Sequence, residues 1–179
     1  MRHGQWFAVI VAAALAACGE APQAPAIGSP LPPVSVVRLE GGSGTLQEYA
    51  GRALVLNFWA TWCPPCRAEM PSLQRLADAF PEGDLAVIGV SVDDDLNLVR
   101  EFVLQHGIRF PVVAQSPAFP AVGQFGVTVF PTTILVTRER SIAAIVTGER
   151  DWSSENSVGR IESLLQVKRR ATGSRDGGG

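Results

Sequence analysis

The stretch Ala53–Trp59 (ALVLNFW) constrains the fold more than any other feature, because it is apolar at all but one position and leads directly toward Cys63-Pro64-Pro65-Cys66. A run of that length reads as a strand covered on both faces, which only a layered sheet provides. A helix is expected from the cysteines to about Phe80, and Leu85 to Val92 (LAVIGVSV) reads as a second buried strand. Further along come an amphipathic helix over Leu96 to His106 and a short strand over Phe110 to Ala114. A hairpin follows, with Ile134–Val136 and Ile142–Val146 flanking Arg138-Glu139-Arg140. The last helix runs from about Ser154 to Val167, with Val158, Ile161, Leu164 and Leu165 at helical spacing. Upstream, Val34 to Leu39 reads as a strand, Gly41-Gly42-Ser43-Gly44 as a turn, and Leu46 to Tyr49 as a short helix. This alternation predicts an α/β domain over residues 34–167 with helices on both faces of the sheet.

The cysteine pair sits where a strand gives way to a helix. Unsatisfied N–H groups and the partial positive charge of a helix N-terminus both favour a thiolate there. Cys63 is thereby the expected attacking sulfur, and Cys66, one turn further in, the shielded resolving one. Pro64 and Pro65 stiffen the first turn at positions where a missing N–H costs little. A zinc site would need more ligands than the pair and His106 supply. A purely structural disulfide closing so small a loop would contribute little. No metal or other cofactor is expected; the pair is itself the redox group. The acidic run Asp93-Asp94-Asp95 precedes a helix, and N-capping accounts for it without a metal.

The two ends of the chain read differently from its middle. Arg2 and the apolar run Phe7 to Ala17 form a signal-like segment over 1–17, too short to span a bilayer. Leu15-Ala16-Ala17-Cys18 resembles the lipobox of bacterial lipoproteins, which implies lipidation at Cys18 and an exported protein anchored to the periplasmic side of a membrane. Lipidation also explains the odd count of 3 cysteines, since it leaves Cys63 and Cys66 as an isolated pair. Residues 18–33, rich in Pro and Ala, read as a tether, and 168–179 as a polar, disordered tail. A formal charge of −2 with no basic patch excludes nucleic acid as a partner.

The run Asn57-Phe58-Trp59-Ala60-Thr61-Trp62-Cys63-Pro64-Pro65-Cys66 resembles the active site of the TlpA/ResA branch of the thioredoxin superfamily. Pro71 and Phe130-Pro131-Thr132-Thr133 agree with it, and the similarity covers roughly Ile27 to Val167. The resemblance implies a thioredoxin-like sandwich with a central mixed sheet, extra N-terminal strands and a central insertion. It also implies a thiol–disulfide oxidoreductase with a cis Pro131 facing the disulfide. Trp62, Pro64, Pro65, Phe130 and Pro131 are then the expected substrate surface, with Trp59 in the core. Thioredoxins keep a buried Asp where this chain has Asn57, which cannot take up a proton. Glu69, one helical turn beyond Cys66, is the expected replacement in relaying the Cys66 proton, against the alternative of a solvent-facing carboxylate. Expected partners are client proteins with thiols or disulfides and a membrane reductase donating electrons, as in cytochrome c maturation or similar work. Oxidase or isomerase activity is the alternative, because the motif does not set the direction of electron flow. A peroxidase is disfavoured because Ala60 and Leu56 stand where peroxiredoxins carry Thr and Pro. Copper delivery would want a longer Cys spacing and a distant His.

Overall fold

A computed structural model describes residues 25–115 and 121–171. Its elements are β1 (Ser35–Arg38), β2 (Ser43–Thr45), a 3-10 turn (Leu46–Tyr49), β3 (Ala53–Trp59), α1 (Pro64–Ala79), β4 (Leu85–Ser91) and α2 (Leu96–Gln105). They continue with β5 (Val112–Gln115), α3 (Ala121–Phe125), β6 (Thr132–Val136), β7 (Ile142–Thr147) and α4 (Glu155–Leu165). The strands form one seven-stranded sheet in the order β2-β1-β5-β4-β3-β6-β7. β3, β4 and β5 pair in parallel, and the outer strands pair antiparallel, giving the mixed sheet of a thioredoxin-like fold.

The apolar run of β3 is explained by its central place. Alternate side chains leave a strand on opposite faces. Ala53, Val55 and Trp59 join a core with Leu73, Leu76, Phe102 and Ile161, under α1, α2 and α4. Leu54, Leu56 and Phe58 join the opposite core with Leu46, Ile88 and Phe125. Phe58 is fully buried, its ring centroid 5.3 Å from that of Phe125; burying a side chain of that size contributes about 1.5–3 kcal/mol.

Three local features depart from expectation. Gly41 and Gly42, both at positive φ, make a tighter turn than the four-residue one anticipated, and Ser43–Thr45 returns as a strand, with Val36 opposite Gly44. The strand expected from Phe110 begins at Val112, after Pro111, whose carbonyl accepts from Gly89 N–H at 2.9 Å. The short helix α3 carried no signal in the sequence, and it covers the second core through Ala121 and Phe125.

Part of each expected terminal segment is held to the domain. Gly28 N–H donates to Ile142 O at 2.8 Å and Leu31 N–H to Arg140 O at 2.7 Å. Arg170 N–H donates to Ala79 O at 2.8 Å, and Arg169 pairs with Glu155 and Glu162. Among the described residues no helix is long and apolar enough to cross a membrane.

Candidate active site

β3 ends at Trp59, and a turn closed by Cys63 N–H on Ala60 O, at 3.2 Å, delivers the chain to α1. Cys63 is the N-cap of that helix: its Sγ accepts from Cys66 N–H at 3.3 Å. Pro64 and Pro65 occupy the first helical positions, and the first turn carries no acidic residue whose charge would offset the positive end of the helix dipole. Cys63 and Cys66 are joined as a disulfide with Cα atoms 5.3 Å apart. Both are buried, Cys66 fully and Cys63 with 5% exposed.

The loop before β6 contains a cis Phe130–Pro131 peptide bond. It is tied down by Thr132 Oγ1 donating to Val129 O at 2.8 Å and by Gly148 N–H donating to Pro131 O at 2.8 Å. Trp62 stands out from the cysteine turn, 65% exposed, with its ring edge-on to Phe130 at 6.0 Å. Val129 is exposed beside Phe130, extending the apolar surface. Trp59, by contrast, is fully buried against Phe102, with centroids 5.0 Å apart.

Glu69 is not a solvent-facing carboxylate. It is 2% exposed, and its donors come from β3 and from the loop before α4. Asn57 Nδ2 donates to Oε1 at 2.6 Å, while Trp152 Nε1 at 2.9 Å and Arg150 N–H at 3.2 Å donate to Oε2. Burial pushes its pKa above the ordinary carboxylate value; the Trp152, Asn57 and Arg150 donors oppose that rise, and the charge of Glu149 adds to it. Asn57 Nδ2 also donates to Thr133 Oγ1 at 2.9 Å, and its buried Oδ1 has no hydrogen-bond partner among the described residues.

Asp93 departs from the capping role expected of it. The N-cap of α2 is Asp95, which accepts from Asn97 N–H at 2.8 Å. Asp93 instead turns back toward the cysteine motif and is 8% exposed. Its carboxylate accepts from Thr61 N–H at 3.0 Å, Thr61 Oγ1 at 2.6 Å and Ser91 Oγ at 2.8 Å.

The structure thus gathers Cys63, Cys66, Trp62, Pro64, Pro65, Phe130 and Pro131 at one pole, with Glu69 buried on α1 behind them; Cys18 lies outside the described residues. Sequence reasoning missed Trp152, Thr133, Thr61 and Asp93. Trp152 lies 83 residues from its partner, so no local pattern could pair the two. Among the described residues no group of three or more His, Cys, Asp and Glu could hold a metal.

Comparison with known proteins bears on this geometry. The family model described as AhpC/TSA family matches residues 27–145. A thiol-disulfide oxidoreductase ResA of Geobacillus thermodenitrificans is 33% identical over 139 residues, 78% of each chain. One from Bacillus anthracis is 34% identical over 124 residues, 69% of this chain and 71% of that one. Among solved structures, a thioredoxin family thiol:disulfide interchange protein of Chlorobium tepidum superposes with a TM-score of 0.65 at 26% identity, covering 77% of this chain and 99% of its own. A thiol:disulfide interchange protein from Bacteroides sp. shares the fold, with a TM-score of 0.67 at 22% identity over 85% of this chain and 96% of that one.

Proposed function

We propose a reductive, membrane-tethered role for this protein, which belongs to the AhpC/TSA family and is a thiol–disulfide oxidoreductase of the ResA type. In its dithiol form the Cys63 thiolate attacks a client disulfide, forming a Cys63–client mixed disulfide and releasing one client sulfur as thiolate. Cys66 then loses its proton and attacks Cys63 Sγ, which releases the second client thiolate and closes the Cys63–Cys66 disulfide. Two electrons pass to the client, and a membrane reductase returns them. Clients are exported proteins with disulfides to be opened, as in cytochrome c maturation or similar work. Trp62, Pro64, Pro65, Phe130 and Pro131 form the surface on which the client chain lies, extended along the cis-proline loop.

One observation carries the relay: the carboxylate of Glu69, one turn along α1 from Cys66, is buried and surrounded by donors rather than by solvent. Burial holds its proton affinity up, so it takes the Cys66 proton more readily than an exposed carboxylate would. Asn57 suits both states of that carboxylate. Its Nδ2 serves the ionised form, and half a turn of the amide presents the unpaired Oδ1 to the protonated one.

Lipidation at Cys18, after removal of residues 1–17, anchors the domain on the periplasmic side of a membrane, with residues 18–33 as the connection. Two or more acyl chains there suffice for stable attachment. A Cys66→Ser variant expressed in cells tests the client assignment, because it strands Cys63 as a mixed disulfide. Capture of a cytochrome apoprotein or a membrane thiol donor supports the reductant. Capture of a broad range of newly exported proteins favours the oxidase. Mass analysis of the N-terminal peptide tests lipidation separately: an unacylated Cys18 removes the anchor and leaves the redox assignment standing.

A further inference from the structure

Two residues before the attacking sulfur, Thr61 is gripped by a carboxylate from the segment that follows β4. The turn Ala60–Cys63 is closed by its own hydrogen bond, and the preceding residue is held where Val92 N–H donates to Trp59 O at 3.0 Å. Within the turn, Thr61 gives Asp93 both its N–H and its hydroxyl, and Ser91, opposite Trp59 in the parallel β3–β4 pair, gives its hydroxyl as well. Asp93 N–H returns a bond to Ser91 Oγ at 3.1 Å, so the carboxylate is fixed at its own base. Bonds from several donors to one buried carboxylate hold a short turn more firmly than bonds between neutral groups would. The next two residues along are the exposed Trp62 and the N-capping Cys63.

We propose that Asp93 is a positioning residue for thiol–disulfide exchange: by gripping Thr61 it fixes the direction of Cys63 Sγ and the stance of the Trp62 ring against Phe130. The inference rests on Cys63 being the attacking sulfur and adds the element that aims it. In-line attack on a disulfide tolerates little angular error, and misplacement by about 1 Å costs on the order of a hundredfold in rate. The other ionisable groups of the site are Cys66 and Glu69 on α1; Arg67 on α1, Asp94 and Asp95 before α2, and Glu149 and Arg150 after β7 are exposed. All of these are left in place by substitutions at Thr61.

The test uses the reduced full-length protein with two probes: insulin, whose disulfides must be approached by a directed sulfur, and iodoacetamide, a small electrophile that needs only a thiolate. Asp93→Asn is expected to slow insulin reduction about tenfold, and Thr61→Val about threefold. Thr61→Ser, which keeps the hydroxyl, stays within about twofold of the parent. In Thr61→Val the alkylation rate of Cys63 changes by less than about twofold, so the ratio of the two rates falls. Parent-like insulin rates in both Asp93→Asn and Thr61→Val overturn the proposal. So does an equal fall of both rates in Thr61→Val, or a Thr61→Ser variant as impaired as Thr61→Val. If Asp93→Asn does not fold, the Thr61 pair decides alone. A Cys63→Ser variant that still reduces insulin overturns the attacking-sulfur reading and this proposal together. Its inactivity beside parent-like Asp93 and Thr61 variants overturns the proposal only.

Discussion

Two buried carboxylates flank the disulfide, and their surroundings differ in kind. Glu69, on α1, receives an amide N–H, an indole N–H and a backbone N–H. Asp93, beyond the end of β4, receives a backbone N–H and two hydroxyls. Two of the three donors around Asp93 belong to Thr61, in the turn that leads into Cys63, so its bonds become a constraint on where that turn sits. The donors around Glu69 belong to the sheet and to the loop before α4, so its bonds fix the carboxylate rather than the cysteines. In the roles proposed above, the carboxylate that is itself held serves a proton and the one that holds a neighbouring turn serves geometry.

Substituting Glu69 gives the sharpest break between the two. Glu69→Gln is expected to slow decay of the mixed disulfide by about a hundredfold while leaving the first attack unchanged, measured by stopped-flow with rapid quenching. An unchanged decay rate refutes the relay. Asn57→Asp places a second carboxyl within hydrogen-bonding reach of Glu69, where the present amide stands at 2.6 Å. Like charges so close share a proton, so the pH–rate profile should split into two separated apparent pKa values. A single unsplit transition would mean that the pair does not couple. Trp152→Phe removes one donor to Oε2. Where Glu69 is ionised, the loss costs roughly 1.5–3 kcal/mol, read from urea unfolding. It also moves the resolving step's pH dependence to higher pH, since that donor lowers the Glu69 pKa. Substitutions at Thr61 should leave that profile where it is.

The smallest effect is on stability against pH. The folded-state pKa of Glu69 lies above its unfolded value, so the folded protein binds this proton more tightly. The resulting stabilisation is complete below the ordinary carboxylate pKa and is lost as pH rises through the raised value. Chemical denaturation across that window should show a decline that Glu69→Gln abolishes; an equal decline in the variant would assign it to other groups.

The legibility of these two residues in the sequence was unequal. Glu69 was picked out by its spacing from Cys66 and by resemblance, and only its burial needed the structure. Asp93 stood in a run of three acidic residues before a helix, and capping explained all three equally well. The fold alone separates them, with Asp95 capping α2 and Asp93 turned back toward Thr61. Trp152 offered no signal at all, since an aromatic residue in a polar loop has no periodicity to place it.

The sequence by itself determined the covered central strand, the helix opened by the cysteines and the alternation of elements. Each depends on interactions between residues close in the chain or on a periodicity that burial imposes. Tertiary structure decided which carboxylate is held by what. A donor 83 residues away, or 32 residues away in the turn that follows a parallel neighbour, comes within hydrogen-bonding distance only once the sheet has assembled. The Cys63–Cys66 chemistry is local, but the groups proposed to aim it and to take its proton are brought there by the fold.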